Sequence, residues 1–230
     1  MLSENKYSKY LIYAIGEIVL VVIGILIALQ LNNCNKKRYN AISEQVILND
    51  LNTEIKTNIA ALENIIHEHT KSLDAAIEVK TIIKDSLKLN TMSMEDLASI
   101  LTTMNFNWTY DPKLGILNST INSGKMDLIQ NKEIRYLLSS IQESIIDANE
   151  STHLIGKIRA EYYWPIIAST REVVDYEKLT VDNRTSFHDP QFIWWVKFNT
   201  AVRKEGLEEE NELLKFLEKI SMLIESEIKE

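Results

Sequence analysis

A single N-terminal transmembrane helix leading into an all-α bundle with long antiparallel helices follows from three features of this sequence. An apolar run extends from Leu11 to Leu31 with one acidic residue, Glu17, inside it. Between Gly24 and Pro112 there is no Gly or Pro, so nothing in that interval forces a helix to stop. Farther on, apolar residues recur in steps of three and four, the helical period, and no convincing strand pattern competes with it. The expected division is a tail over 1–10, the membrane helix over 11–31, a stalk or linker over 32–47 and a bundle domain over 48–230.

At a rise of ~1.5 Å per residue, the run from Leu11 to Leu31 covers ~30 Å, the thickness of a bilayer's hydrocarbon core. A signal peptide has a shorter apolar region, about 7 to 15 residues, closed by small residues. Here the run closes with Gln30, Leu31, Asn32, Asn33 and Cys34. That ending offers neither a cleavage site nor the small residues that precede a lipid-modified cysteine. Tyr7, Tyr10 and Tyr13 sit at the front end, as interfacial aromatics do. Lys6 and Lys9 before the helix nearly balance Lys36, Lys37 and Arg38 after it, so charge alone does not orient the chain.

From Leu48 the positions Leu48, Leu51, Ile55, Ile59, Leu62, Ile66, His69, Leu73 and Ile77 hold one stripe along a long amphipathic helix. The membrane helix is expected to run into it directly or after a kink at 32–35. The pattern lapses near Leu87 to Met92; Ser93 with Asp96 then opens a short helix to about Met104. In the irregular stretch NFNWTYDP, Asp111 is placed to cap a helix beginning at Pro112, which Ser123 and Gly124 end. Asn131 caps a second long helix with the stripe Ile134, Leu138, Ile141, Ile145, Ala148, Thr152, Ile155 and Tyr162, kinked or ended by Pro165. A polar loop over 175–188 precedes a helix started by Asp189 and Pro190. Gly206 is expected to turn the chain, and a last helix to run from Leu207 to the end.

The segment SENKYSKYLIYAIGEIVLVVIGILIALQLNNCNKKR resembles the N-terminal signature of a family of single-pass membrane proteins of Bacteroidota, catalogued as domain of unknown function 6090. The stretch ILNSTINSGKMDLIQNKEIRYLL is similar to a second passage of that family. Members usually carry Trp where this chain has Cys34, and often a basic segment upstream. The resemblance implies a cytoplasmic N-terminus and a periplasmic bundle at the bacterial inner membrane; it implies no activity.

Glu17 stands inside the apolar run, where an ionised carboxylate is costly. On a helical wheel at ~100° per residue, Val21, Gly24, Ala28 and Leu31 all fall within roughly 40° of it. Gly24 and Ala28 form a small-xxx-small pair, which lets membrane helices approach closely. Glu17, Val21, Gly24, Ala28 and Leu31 are therefore the expected membrane-helix interface. Three roles for Glu17 stay open: a neutral carboxyl hydrogen-bonded across that interface, a ring of carboxyls carrying protons or cations through an oligomer, or a carboxylate near the boundary reaching water or a basic partner.

The remaining chemistry is sparse. Glu150 with His153, and Glu63 with His67, have spacings used by metal-binding bundles, but the wheel turns them away from the apolar stripes. Only His69 lies on a stripe, where a neighbouring side chain is expected to satisfy it. Trp108, Tyr110, Trp164, Trp194 and Trp195 are the candidates for a ligand or partner surface, with core packing the competing role. The acidic run EGLEEENE reads as a solvated turn and helix start. One cysteine excludes an intramolecular disulfide and a multi-cysteine zinc site. A net charge of -8, with no long basic block, argues against nucleic acid. No nucleophile–base pair, phosphate-cradling loop or metal cluster is readable, so neither an enzyme nor a cofactor is expected. The sequence points to a membrane-anchored interaction, scaffold or sensor module of the cell envelope, its partners being the lipid bilayer and a second copy or an envelope protein. The alternative is a subunit of an oligomeric proton or ion pathway using Glu17.

Overall fold

The computed structural model describes residues 4–170, 172–175 and 180–229, with side-chain surroundings for 10–170 and 182–229. Helix α1 (Glu4–Ile82) is unbroken over 79 residues, about 120 Å at the rise of an α-helix. The expected tail lies outside the description over residues 1–3 and is helical from Glu4. α1 runs through 32–35 without interruption: with neither Gly nor Pro present, the run of asparagines does not by itself break the ladder. α1 contains a stretch long and apolar enough to cross a membrane, and none of it is buried in the protein. Residues 10–39 are all exposed, and continuous burial starts at Ile47 and Leu48.

Past that point α1 supplies one wall of a bundle. Its buried residues recur every seven positions, Leu48, Ile55, Leu62, His69 and Ala76, with Leu51, Asn58, Ser72 and Val79 three residues after four of them. A seven-residue repeat wraps a helix around its partners with a left-handed supercoil. The straight-helix stripe drifts off this repeat at its far end. Leu73 is half-buried and Ile77 exposed, while Ser72, Ala76 and Val79 face inward.

The bundle is up-down-up-down. The descending second limb is broken into α2 (Ser86–Thr91), α3 (Met94–Met104), an extended strap to Leu114, α4 (Gly115–Asn122) and a 3-10 turn at Lys125–Leu128. α5 (Lys132–Ile158) ascends, and α7 (Pro190–Glu227) descends antiparallel to α1. At the base, the Gln45 side chain donates to Glu227 O and accepts from Lys229 N, tying α1 to the end of α7. Three caps form where the sequence places them: Ser93 on α3, Asn131 on α5 and Asp189 on α7, each accepting backbone N–H bonds at the helix start.

Four local features differ from the sequence expectation. Asp111 does not cap α4. Glu54 on α1 does so from across the bundle, accepting from Ile116 N at 2.7 Å and Leu117 N at 2.9 Å. Pro165 does not end its helix: the preceding turn, Arg159–Tyr163, is π-helical and leads directly into α6 (Trp164–Thr170). The wider turn brings Tyr163 into the core and leaves Tyr162 partly exposed. Gly206 makes no turn. α7 runs through it over 38 residues, and a Cβ there would stand 2.9 Å from Ser151 Cβ on α5, so the glycine allows close helix approach. Finally, the loop expected over 175–188 holds a short strand and a 3-10 turn, Arg184–His188. β1 (Glu172–Asp175) pairs antiparallel with β2 (Thr180–Asp182); residues 176–179 lie outside the description. This hairpin is an ornament on an all-α fold.

Candidate functional site

Two places in the molecule are candidates for function: the face of α1 that carries Glu17 within the apolar span, and a buried polar layer halfway up the bundle. In the span, Glu17, Val21, Gly24, Ala28 and Leu31 are all exposed. They share one side of a continuous helix, with no other described part of the chain covering them. Both Gly16 and Gly24 have open space where a Cβ would stand, so within a single chain nothing requires these glycines.

The buried layer separates two apolar clusters. The lower one packs Leu48, Leu51, Ile55 and Leu62 against Ile134, Leu138 and Ile141 of α5 and Leu217, Ile220 and Ile224 of α7. Above, Ala76, Val79 and Ile82 meet Leu97 and Leu101 of α3 with Ile155, Tyr163, Phe192 and Trp195. Between them lie His69, Glu210 and Arg203, at 0%, 1% and 1% exposure. His69 Nδ1 donates to Glu210 Oε1 at 2.7 Å, so the expected neighbour of the core histidine is an acid from the run EGLEEENE. That run is not a solvated turn: it continues α7, and Glu210 points inward because it is one turn below Gly206, on the face pressed against α1 and α5.

Arg203 serves the strap. Its guanidinium donates to Thr152 Oγ1 and Phe106 O, each at 3.2 Å, and to Asn107 Oδ1. Burial lowers it to about 10, with Glu210 acting in the opposite sense, so it stays cationic at neutral pH. Ser72 and Asn199 both donate to Met104 O, and Arg159 donates to Asn105 O. The carbonyls at the end of α3, Met104 and the cap residue Asn105, which have no intrahelical partner and carry the negative end of its dipole, thus meet two neutral donors and Arg159, while Arg203 takes the next carbonyl, Phe106, in the strap. Lower down, two asparagines clasp the strap as a neighbouring strand would. Asn149 accepts from Tyr110 N and donates to Tyr110 O; Asn58 does the same to Lys113. The layer holds an irregular segment in one position between three helices, which is positional chemistry. Nothing about the segment's own sequence reveals it, because every partner is distant along the chain.

The aromatic candidates divide. Tyr110 and Trp195 are core residues, which removes them from any surface, whereas Trp108, Trp164 and Trp194 are exposed. Burial pushes the Tyr110 hydroxyl up from its ordinary value, and it donates to Asn58 O. Trp108 stacks on Phe106, which meets His69 edge-on. Trp194 lies against Tyr162 and Phe198, and Trp164 against Tyr163. Glu63, His67, Glu150 and His153 are all exposed. Among the described residues no group of three or more His, Cys, Asp or Glu could hold a metal ion.

The model described as Family of unknown function (DUF6090) matches residues 17–149, more than half of the chain. No curated protein and no solved structure matches it. The matched stretch opens at Glu17 in the span and closes at Asn149, the α5 residue that clasps the strap.

Proposed function

This chain belongs to the Family of unknown function (DUF6090), and on that footing we propose that it is a non-enzymatic, membrane-anchored interaction, scaffold or sensor module of the cell envelope. It acts through self-association or a protein partner, with the lipid bilayer as its constant companion and no role in nucleic-acid binding. We place it in the bacterial inner membrane as a single-pass protein with the bundle in the periplasm. One observation carries this reading: the helix that carries the apolar span also forms a wall of the bundle core, without a break. A push, twist or partner at the span is therefore mechanically continuous with the bundle. The family match, which takes in both the span and the bundle limb, supports treating them as one working unit. Capture of the full chain from its native membrane in mild detergent tests the proposal. It predicts a reproducible companion, either more of the same chain or a defined envelope protein, while a bare monomer without partner or ligand would remove its support.

A second reading has one observation in its favour: Glu17 is exposed on the same side of α1 as Gly24 and Ala28. In an oligomer packed on that face, the carboxyls would converge on a proton or cation path. Unchanged conductance of Glu17→Gln in reconstituted vesicles would dismiss it.

A further inference from the structure

We infer that the α1 face shared by Glu17, Gly24 and Ala28 continues beyond the membrane as a seam for a second copy of this chain, through Asn35, Tyr39, Ile42 and Val46. The inference rests on the self-association arm of the reading above and gives that association its partner and its surface. On the same wheel, all four residues fall within roughly 40° of Glu17. α1 is unbroken across the interval, so the sequence angles apply to the molecule. Tyr39, Ile42 and Val46 are 72%, 53% and 56% exposed, although the bundle beside them is fully folded. Its core residues Leu48, Leu51 and Ile55 lie on the opposite side of α1. Beyond Val46 the same face turns polar, with Asn49, Thr53 and Thr57, so the apolar strip has a defined upper end.

Lipid does not cover the part of this strip beyond the span. Measured from Leu31 at ~1.5 Å per residue, Ile42 and Val46 stand ~16 Å and ~22 Å out, whereas the headgroup layer is only about 5–8 Å deep. A second copy fits it for three reasons. Copies sharing one membrane and one anchor are parallel, so their faces meet at matching heights. From Val21 to Val46 the strip bears no charge, and Lys36, Lys37 and Arg38 all fall outside its arc, so like charges are not forced together. Ile42 and Val46 also line an open groove rimmed by Arg38, Asp50 and Lys229, the apolar centre with charged edge that protein interfaces favour.

The area indicates how such a pair is held. A strip ~38 Å long and ~10 Å wide gives about 800 Å² over two copies, below the ~1,200–2,000 Å² of stable soluble complexes. Shared anchoring removes much of the translational and rotational cost of association, so the seam pairs chains within a membrane.

Single cysteines in full-length chain carrying Cys34→Ser, reconstituted in phosphatidylcholine vesicles and mildly oxidised, test the seam. Asn35→Cys, Ile42→Cys and Val46→Cys should crosslink at least about tenfold faster than Lys37→Cys, which faces about 160° away and stands outside that groove. Like charge should also loosen the pair, so that Ile42→Lys with Val46→Lys raises the lipid dilution needed to dissociate it by about tenfold. Equal crosslinking around the helix overturns the seam. So does a dimer by mass that Gly24→Leu dissociates but neither stalk cysteines nor stalk lysines affect; in that case self-association survives and its surface ends at the membrane. A monomer by mass at every lipid density removes both.

Discussion

Gly206→Ala should destabilise this protein, and Ser151→Gly should rescue it. In an exposed helix the substitution would gain about 1 kcal/mol of helix propensity. Here the added Cβ would meet Ser151 Cβ at 2.9 Å, against about 3.5–4.0 Å for a comfortable carbon–carbon contact. α5 and α7 must then separate by roughly 0.6–1 Å, or Ser151, itself buried, must be displaced; such overpacking costs about 1–3 kcal/mol. The net expectation is a loss of about 0–2 kcal/mol for the single variant. Removing the Ser151 side chain takes away the clash, so the double variant should be more stable than the sum of the singles by about 1 kcal/mol or more. Denaturant unfolding of the full chain in mild detergent, followed by tryptophan fluorescence, to which the buried Trp195 contributes, measures all four corners of the cycle. A stabilising Gly206→Ala, or a cycle additive to within about 0.5 kcal/mol, would refute the close-approach account.

Three further expectations follow from the buried contacts. Glu54→Ala should cost about 1 kcal/mol, the usual worth of a helix cap, and should speed hydrogen exchange at the Ile116 and Leu117 amides; unchanged exchange there would deny the cross-bundle cap. Arg203→Met should cost about 3 kcal/mol or more, since it leaves the buried acceptors Thr152 Oγ1, Phe106 O and Asn107 Oδ1 without their shared charged donor, and a variant with wild-type unfolding behaviour would show the layer to be idle. Glu209 is raised above the ordinary carboxylate range, mainly by burial and then by Glu205, Asp147 and Glu150, with Ser151 opposing. A carboxyl whose folded value is raised contributes stability that is present below its unfolded pKa and lost as pH rises to the folded one. Glu209→Gln should therefore flatten the fall in stability from about pH 4 upward and leave stability at pH 3 unchanged; an identical pH profile in wild type and variant would remove this role.

What the sequence made legible was what is local. The caps at Ser93, Asn131 and Asp189 join a side chain to backbone two or three residues away, so the residue type alone marks them. His69 stood out because it occupies a core position in an apolar stripe. The rest depends on contacts between distant segments. Glu54 reads as a surface acid until α4 is placed on it. Gly206 and Pro165 carry breaker signals that tertiary packing overrides, one through a close helix crossing and the other through a wide turn. Glu210 sits among acids that read as solvated, yet its register on α7 turns it inward. The strap's clasps by Asn58 and Asn149 look like ordinary polar residues on helices. In the span, by contrast, the wheel angles needed no tertiary information, because α1 is continuous there.

The mass of the full-length chain in lipid nanodiscs, compared with Gly24→Leu and Glu17→Gln, tests most directly whether this protein works by pairing along one face of α1. The account predicts a dimer for the wild-type chain and a monomer for Gly24→Leu, with loss in Glu17→Gln as well if the carboxyl bonds across the interface. A wild-type chain that is monomeric and without a companion, or a dimer indifferent to Gly24→Leu, would contradict it.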